Sequence, residues 1–199
     1  MAKPIILASG SMHRRRLLEG AGIAVEAVAS SIDERAVEES LGDAEVTADD
    51  LASILAEAKA SDVSQGFPGR VVVGADQTLE LDGVLFHKPA SMEEARRTLL
   101  ALSGHTHRLH SAYALVRDGT VLRQRVETAS ITLRPLTPAN IGHYLARAGE
   151  AVLGSVGAYQ IEGPGIRLMD RIDGDYFTIV GLPLLPLIKD LEAEGALDA

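Results

Sequence analysis

The opening of this chain constrains its fold most, because an apolar run passes through a short turn into a segment rich in arginine and leucine. The run covers residues 5–8, the turn contains Ser9, Gly10 and Ser11, and arginines occupy 14–16. This order predicts a strand, a turn and a helix whose first N–H groups point at one place, where an anion can bind. Arginine and serine side chains suit phosphate oxygens. The segment therefore predicts a phosphate-binding turn, although a capped helix with solvated arginines has the same pattern.

Length and composition limit the class of protein. The 199 residues are 46% hydrophobic, which predicts one domain over 1–199 with a core of its own. A formal net charge of −9 disfavours nucleic acid and anionic membranes as partners. The absence of cysteine excludes disulfides, thiol nucleophiles and cysteine-bound zinc. With no membrane-spanning or signal-peptide pattern, we expect a cytoplasmic protein that binds neither nucleic acid nor membrane.

Apolar runs alternate with helical patterns along the chain, which predicts an α/β fold. Thr47 and Asp50 predict a capped helix that continues to Lys59. The acidic segment between Asp33 and Thr47 has weak periodicity and is interpreted as a connection.

Turn signals divide the rest of the chain. Residues 71–76 predict a buried strand that stops at a small acidic turn, and Asp-Gly pairs at 82–83 and 118–119 predict hairpins. Residues 154–165 are rich in glycine and turn often, which favours a binding loop.

Carboxylates and lysines near these turns are the candidates for chemistry. Asp76 ends a predicted strand, where open α/β sheets place ligands, and its carboxylate can hold a hard cation or take a proton from water. Asp33 and Glu34 form a second acidic pair, and Lys59 and Lys88 supply positive charge. Each also has an ordinary interpretation, as a turn aspartate or a solvated charge. Together with the phosphate-type turn they fit nucleotide hydrolysis.

The histidines invite a different hypothesis. His105 and His107 would share one face of a strand and could hold a metal, whereas His110 would fall on the other face. No cysteine or HExxH pattern completes a zinc site, so structural histidines are the favoured interpretation.

Further motifs follow in a recognisable order over nearly the whole chain. They are LASGS at 7–11 with Arg14, DE at 33–34, LA at 55–56 with KA at 59–60, GAD at 74–76, KP at 88–89, SG at 103–104, GAY at 157–159 with Gly163 and Gly165, IDG at 172–174 and VGLP at 180–183. In this order the chain resembles the Maf family of nucleoside triphosphate pyrophosphatases. The resemblance implies an elongated, two-lobed α/β fold of mixed sheet flanked by helices, with a central cleft, related to the inosine triphosphate pyrophosphatases. It also implies a homodimer.

The resemblance implies a reaction as well, in which water cleaves a nucleoside triphosphate to the monophosphate and pyrophosphate with a divalent cation such as Mg²⁺, Mn²⁺ or Co²⁺. By position, Asp76 matches the proton acceptor and a metal ligand. The other matches are the phosphate loop of Ser9, Ser11 and Arg14, the basic pocket of Lys59 and Lys88, and the acidic pair of Asp33 and Glu34 near the metal. Asp76, Arg14 and Lys88 are the implied catalytic residues.

Three positions bear on the nucleobase: His13, Gln77 and Glu162. Relatives that prefer thymidine or uridine triphosphate carry Arg, Thr and Gln there, whereas those acting on 7-methyl-GTP carry an aromatic residue, Gln and Glu. The chain matches the second group at Gln77 and Glu162 and departs from it at His13. A glutamate can accept hydrogen bonds from a guanine edge. The resemblance thus favours 7-methyl-GTP over a dTTP/UTP preference, and leaves open a nucleotide-binding regulator of septum formation.

Two departures from the family pattern concern the same site. Met12 replaces a proline of the first loop, and Ala58 replaces a glutamate beside Lys59. A less restrained turn and one carboxylate fewer are expected to lower the rate or change how metal is held.

Overall fold

The computed structural model describes residues 3–42 and 46–197 of the chain. The strands of this part are β1 (Ile5–Ala8), β2 (Val25–Ala27), β3 (Val72–Leu81), β4 (Val84–Phe86), β5 (Thr106–Arg117), β6 (Thr120–Leu133) and β7 (Met169–Asp173). The helices are α1 (Met12–Gly20), α2 (Glu34–Leu41), α3 (Ala48–Ser64), α4 (Met92–Leu102), α5 (Pro138–Ala148), α6 (Tyr176–Val180) and α7 (Leu184–Ala193). Short 3₁₀ segments cover Gly149–Gly154 and Pro164–Leu168.

The strands form one mixed sheet in the order β2-β1-β3-β5-β6-β7, with β4 paired to β3. β1 is parallel to both β2 and β3, whereas β3–β4 and β6–β7 are antiparallel. The predicted α/β class, a mixed sheet flanked by helices, is therefore confirmed. Throughout the described ranges, helices that are both long and apolar enough to cross a membrane are absent.

The chain divides into two compact units. The first consists of Met1–Asp76, Ser111–Glu127 and Gly181–Ala199. Its core joins apolar residues of β1, β3 and β5 to an alanine-rich face of α3. A Cβ added to Gly74 of β3 would lie 2.0 Å from the carbonyl oxygen of Ala56 in α3. Because this contact leaves no room for a side chain, glycine lets α3 approach β3 closely.

The second unit consists of Gln77–His110 and Thr128–Val180. Its core collects buried side chains from β3, α4, β5, β6 and α5, including Leu79, Leu99 and Ile141. The 3₁₀ segments that flank residues 155–163 also belong to this unit.

Several local predictions are confirmed. The strand at 5–8 is present, and Thr47 and Asp50 form a capping box at the start of α3. Both Asp-Gly pairs form hairpin turns with positive φ at each residue, 52° and 79° at 82–83 and 51° and 75° at 118–119.

Two local predictions are wrong. The segment after Asp33 is not a plain connection, because α2 occupies Glu34–Leu41 and is capped by the Asp33 side chain; the residues at 43–45 lie outside the described ranges. The strand at 71–76 does not stop at an acidic turn, because β3 continues through Asp76 to Leu81. The paired carboxylate of Asp76, described below, is what allows a charged residue inside this buried strand.

Candidate active site

The turn after β1 is built by its serines. Ser11 is the N-cap of α1, and its Oγ accepts a hydrogen bond from the backbone N–H of Arg14 at 3.4 Å. Ser9 is buried, and its Oγ accepts from the N–H of Ser11 at 3.2 Å. The sequence therefore folds here into a tight, self-bonded turn at the positive end of a helix.

Arg14 is fixed by acceptors from distant parts of the chain. Its Nε donates to the carbonyl oxygen of Gly181 at 2.8 Å, and its Nη1 donates to the Ala75 carbonyl at 2.7 Å and to Ser9 Oγ at 3.1 Å. Burial lowers the pKa of Arg14, while the negative charges of Asp76 and Glu34 oppose that shift. The guanidinium is thus held in one orientation beside the carboxylates of the site.

Lys59 joins two carboxylates in the first unit. The lysine is 6% exposed, and its Nζ lies 2.5 Å from Asp76 Oδ1 and 2.6 Å from Glu34 Oε1. A buried ammonium is stable when ion pairs of this kind compensate its lost hydration. The three side chains come from α3, β3 and the first residue of α2, so the fold brings together charges that are far apart in sequence.

The position of Asp76 follows from the strand register. The last described pair between β1 and β3 is Ala8 with Gly74. β1 then leaves the sheet through the Ser9 turn, whereas β3 continues to Asp76. Asp76 therefore lies just beyond the end of its parallel neighbour, which is where open α/β sheets bind ligands even though its own strand does not end.

Asp33 has a structural task in this arrangement. Its Oδ1 accepts hydrogen bonds from the N–H groups of Arg35 at 3.1 Å and Ala36 at 3.2 Å, which caps α2. The cap begins the helix at Glu34, whose carboxylate then contacts Lys59. Metal binding by Asp33 stays a prediction.

The remaining predicted residues are placed as follows. His13 is partly buried in α1 of the first unit. Gln77 belongs to the second unit, and its Nε2 donates to the carbonyls of Thr178 and Ile179, both at 3.1 Å. Two exposed residues complete the set, Lys88 after β4 and Glu162 between the 3₁₀ segments of the second unit.

Two of the three histidines considered for a metal, His107 and His110, contact hydroxyl groups instead. His107 is fully buried and its Nε2 lies 2.6 Å from the Tyr159 hydroxyl, whereas His110 Nδ1 lies 2.9 Å from Thr128 Oγ1. His105 is exposed. Over residues 3–42 and 46–197, groups of three or more His, Cys, Asp or Glu arranged for a metal are absent. The geometry therefore favours structural histidines.

The carboxylates of Asp76 and Glu34 can nevertheless hold a divalent cation together with a ligand. Both meet at Lys59 Nζ, so their oxygens lie within one small region. Mg²⁺ is commonly bound by one or two carboxylates plus phosphate oxygens and water rather than by a full protein cage. The donor set fits a hard cation that arrives with a polyphosphate.

Sequence reasoning missed the acceptors of Arg14 and the partners of Lys59. The carbonyls of Ala75 and Gly181 have no side-chain signature, but both residues lie in motifs, GAD and VGLP, that the sequence singled out. Gly181 has φ 115°, a conformation that favours glycine. The sequence signal that could have indicated this contact is a glycine, Gly181, within an otherwise apolar motif.

Comparison with known proteins identifies the family to which this chain belongs. The model of the family described as Maf-like protein matches residues 4–194. The chain belongs to the Maf-like family. A Maf-like relative named 7-methyl-GTP pyrophosphatase, from Mesorhizobium japonicum, is 58% identical, with 100% of each chain covered. Another, named nucleoside triphosphate pyrophosphatase, from Nitrobacter winogradskyi, is 50% identical over 98% of this chain and 96% of its own.

A solved structure is also similar. The nucleoside-triphosphatase described as a dITP/XTP pyrophosphatase from Mycobacterium abscessus is 18% identical, covers 98% of this chain and 94% of its own, and has a TM-score of 0.43.

Proposed function

We propose that this chain is a nucleoside triphosphate pyrophosphatase that converts its substrate and water to the nucleoside monophosphate and pyrophosphate, with 7-methyl-GTP as the preferred nucleotide. The names of its Maf-like relatives support the reaction and the nucleotide. The observation that carries the proposal is the contact of Lys59 with Asp76 and Glu34, in the same unit as the Arg14-bound turn.

Phosphate binding is assigned to the turn after β1. Arg14 uses Nε and Nη1 for protein acceptors, so Nη2 is the nitrogen that we assign to a phosphate oxygen. Ser9 and Ser11 supply hydroxyls, and the start of α1 supplies N–H groups. Because Arg14 is already oriented, little side-chain freedom is lost when the phosphate binds. Lys88 is assigned a second positive charge, on the basis of the resemblance.

Asp76 is assigned as the proton acceptor. Lys59 donates to its Oδ1, which leaves Oδ2 as the atom that takes a proton from the attacking water. Lys59 also orients the carboxylate, because a hydrogen bond to one oxygen fixes the direction of the other. General-base catalysis of this kind contributes on the order of 10²- to 10⁴-fold in rate.

Metal binding is assigned to Asp76 and Glu34, with Asp33 as a further candidate. A bound Mg²⁺, Mn²⁺ or Co²⁺ would neutralise charge on the triphosphate and on departing pyrophosphate. Lys59, which contacts both carboxylates, limits their repulsion before the substrate arrives.

Nucleobase recognition is assigned to His13, Gln77 and Glu162. The Glu162 carboxylate can accept hydrogen bonds from the N–H groups of a guanine, and for this reason we favour 7-methyl-GTP over a pyrimidine nucleotide. A homodimer and a cytoplasmic location also stay predictions from the resemblance.

The test is hydrolysis of a panel of nucleotides by the purified protein with Mg²⁺ or Mn²⁺. The panel contains 7-methyl-GTP, GTP, UTP, dTTP, 5-methyl-UTP and pseudo-UTP, and products are separated by chromatography. We expect pyrophosphate and a monophosphate, fastest with 7-methyl-GTP. Fast hydrolysis of UTP without 7-methyl-GTP turnover would contradict the assigned preference. Nucleotide binding without any turnover would contradict the enzyme and favour the regulator.

A further inference from the structure

The segment of residues 157–165, here called the 157–165 loop, is tightly packed. A Cβ added to Gly157 would lie 2.4 Å from Cε1 of Tyr159, and one added to Gly165 would lie 2.5 Å from the Gln160 carbonyl oxygen. Ala158 adopts φ 55°, which is uncommon for a residue with a side chain. The loop is therefore closely packed upon itself, and it carries Glu162.

Polar contacts tie this loop to the rest of the second unit. The Tyr159 hydroxyl lies 2.6 Å from Nε2 of His107 in β5, with the two rings 5.6 Å apart. The Tyr144 hydroxyl of α5 donates to the Ala158 carbonyl at 3.2 Å, and Gln160 Nε2 donates to the Ala151 carbonyl at 2.9 Å. Of these three contacts, the one made by Tyr159 connects the loop to a strand of the sheet.

The His107–Tyr159 pair holds the loop at a cost in stability. His107 is fully buried, and its Nδ1 lacks a hydrogen-bond partner in the part of the chain that the structure describes. Burial lowers the pKa of His107 to about 4, so the ring is neutral near pH 7. A buried unsatisfied nitrogen lowers stability, and a pair of apolar side chains at 107 and 159 would avoid that loss. Stability alone does not explain why histidine is used.

We propose that His107 and Tyr159 are positioning residues that hold the 157–165 loop in the conformation that presents Glu162 to the nucleobase. The proposal rests on the proposed function, and adds to it the pair that sets nucleotide preference without touching the nucleotide. The hydrogen bond fixes Tyr159, and the tight packing of Gly157 against Tyr159 and of Gly165 against Gln160 restricts the backbone on both sides of Glu162.

The alternative is that the pair only stabilises the second unit. The two accounts differ in what the Tyr159 hydroxyl does for selectivity. If the pair only stabilises, its loss lowers stability and slows hydrolysis of every nucleotide alike. If it positions Glu162, its loss also changes the ratio of kcat/KM between nucleotides, because binding in a pocket depends on correctly placed polar groups.

The test is Tyr159→Phe, which removes one hydroxyl and keeps the ring. The matched control is Tyr113→Phe, because Tyr113 is also buried and its hydroxyl donates to Asp190 Oδ2 at the same 2.6 Å, but within the first unit. For each protein we would measure kcat/KM with 7-methyl-GTP and with UTP, urea denaturation, and amide hydrogen exchange of peptides covering 155–166.

We expect Tyr159→Phe to reduce the 7-methyl-GTP to UTP ratio by about tenfold and to speed exchange in the 155–166 peptides. Tyr113→Phe should lose comparable stability and keep the wild-type ratio. An unchanged ratio in folded Tyr159→Phe, or the same change in the control, would overturn the proposal. If the wild type hydrolyses none of these nucleotides, the proposed function fails and the specificity claim fails with it. In that case the positioning claim is still tested by hydrogen exchange: unchanged exchange of the 155–166 peptides in Tyr159→Phe would overturn it.

Discussion

Lys59 Nζ lies 2.5 Å from Asp76 Oδ1 inside the first unit, and the same ammonium contacts Glu34. One cation thus holds together two carboxylates that would otherwise repel each other. This relationship connects the stability of the unit to the chemistry proposed for it, because the same three groups serve both.

Replacing Lys59 by methionine should therefore destabilise the metal-free protein. The change leaves the buried Asp76 carboxylate without its cation, and we expect the free energy of unfolding to fall by about 3 kcal/mol. Urea denaturation in EDTA measures this loss. Added Mg²⁺ should restore part of it if the carboxylates bind the ion. Lys189→Met, at an exposed position of α7, is the control and should change little. Equal stability of the two variants would contradict the role of Lys59.

Gly74→Ala tests the close approach of α3 to β3. The new methyl would lie 2.0 Å from the Ala56 carbonyl oxygen and 2.6 Å from the Ala60 nitrogen, so the helix must shift. We expect a loss of about 3 kcal/mol and slower hydrolysis, because Lys59 lies on that helix. Gly66→Ala is the control, since its Cβ would lie at an ordinary 3.6 Å from the Val63 carbonyl oxygen. Thermal unfolding and kcat measure both effects, and a stable, fully active Gly74→Ala would refute this packing account.

His107 predicts a pH dependence of stability. Its pKa is lowered to about 4 by burial, whereas in the unfolded chain it returns to about 6.5. The unfolded state therefore binds a proton that the native state does not. The stability present above pH 6.5 should fall as the pH falls towards 4, by up to about 3 kcal/mol.

The comparison that isolates this effect is His107→Gln, which should flatten the curve of unfolding free energy between pH 7 and pH 4.5. His105→Gln, at an exposed position, should leave the curve as it is. Identical slopes for wild type and His107→Gln would show that another group causes the dependence.

Glu162→Gln tests the assignment of the nucleobase. The amide replaces an acceptor oxygen by a donor, so we expect hydrolysis of 7-methyl-GTP to fall by about tenfold relative to UTP. Glu150→Gln, another exposed position of the second unit, should leave the ratio unchanged. The measurement is the ratio of kcat/KM for 7-methyl-GTP to kcat/KM for UTP. Equal ratios in wild type and Glu162→Gln would show that Glu162 does not recognise the base.

Features that depend on neighbouring residues could be predicted from the sequence. The capping box of Thr47 and Asp50 and the two Asp-Gly turns are such cases, because a few adjacent side chains determine them. α2 was missed although its signals are local as well: Asp33 is a suitable N-cap residue, and Val37 and Leu41 are spaced about one helical turn apart.

Features that depend on distant partners could not be predicted in the same way. A strand running through Asp76 contradicts the usual avoidance of buried charge, and the ion pair with Lys59 from α3 compensates for that charge. The Gly181 carbonyl that holds Arg14 is 167 positions away in sequence. The resemblance named Ser9, Arg14, Lys59 and Asp76 together, but periodicity and composition contain no information about which oxygen bonds to which nitrogen.

The central claim, that Asp76 takes the proton of the attacking water, is tested most directly by pyrophosphate release from 7-methyl-GTP by Asp76→Asn. The amide keeps the size of the side chain and an oxygen for Lys59, so the variant should fold, which circular dichroism would verify. Asp82→Asn, in the hairpin turn that follows β3, is the matched control. We predict a rate reduced by at least about 10²-fold for Asp76→Asn and an unchanged rate for Asp82→Asn. A folded Asp76→Asn that releases pyrophosphate at the wild-type rate would contradict the account.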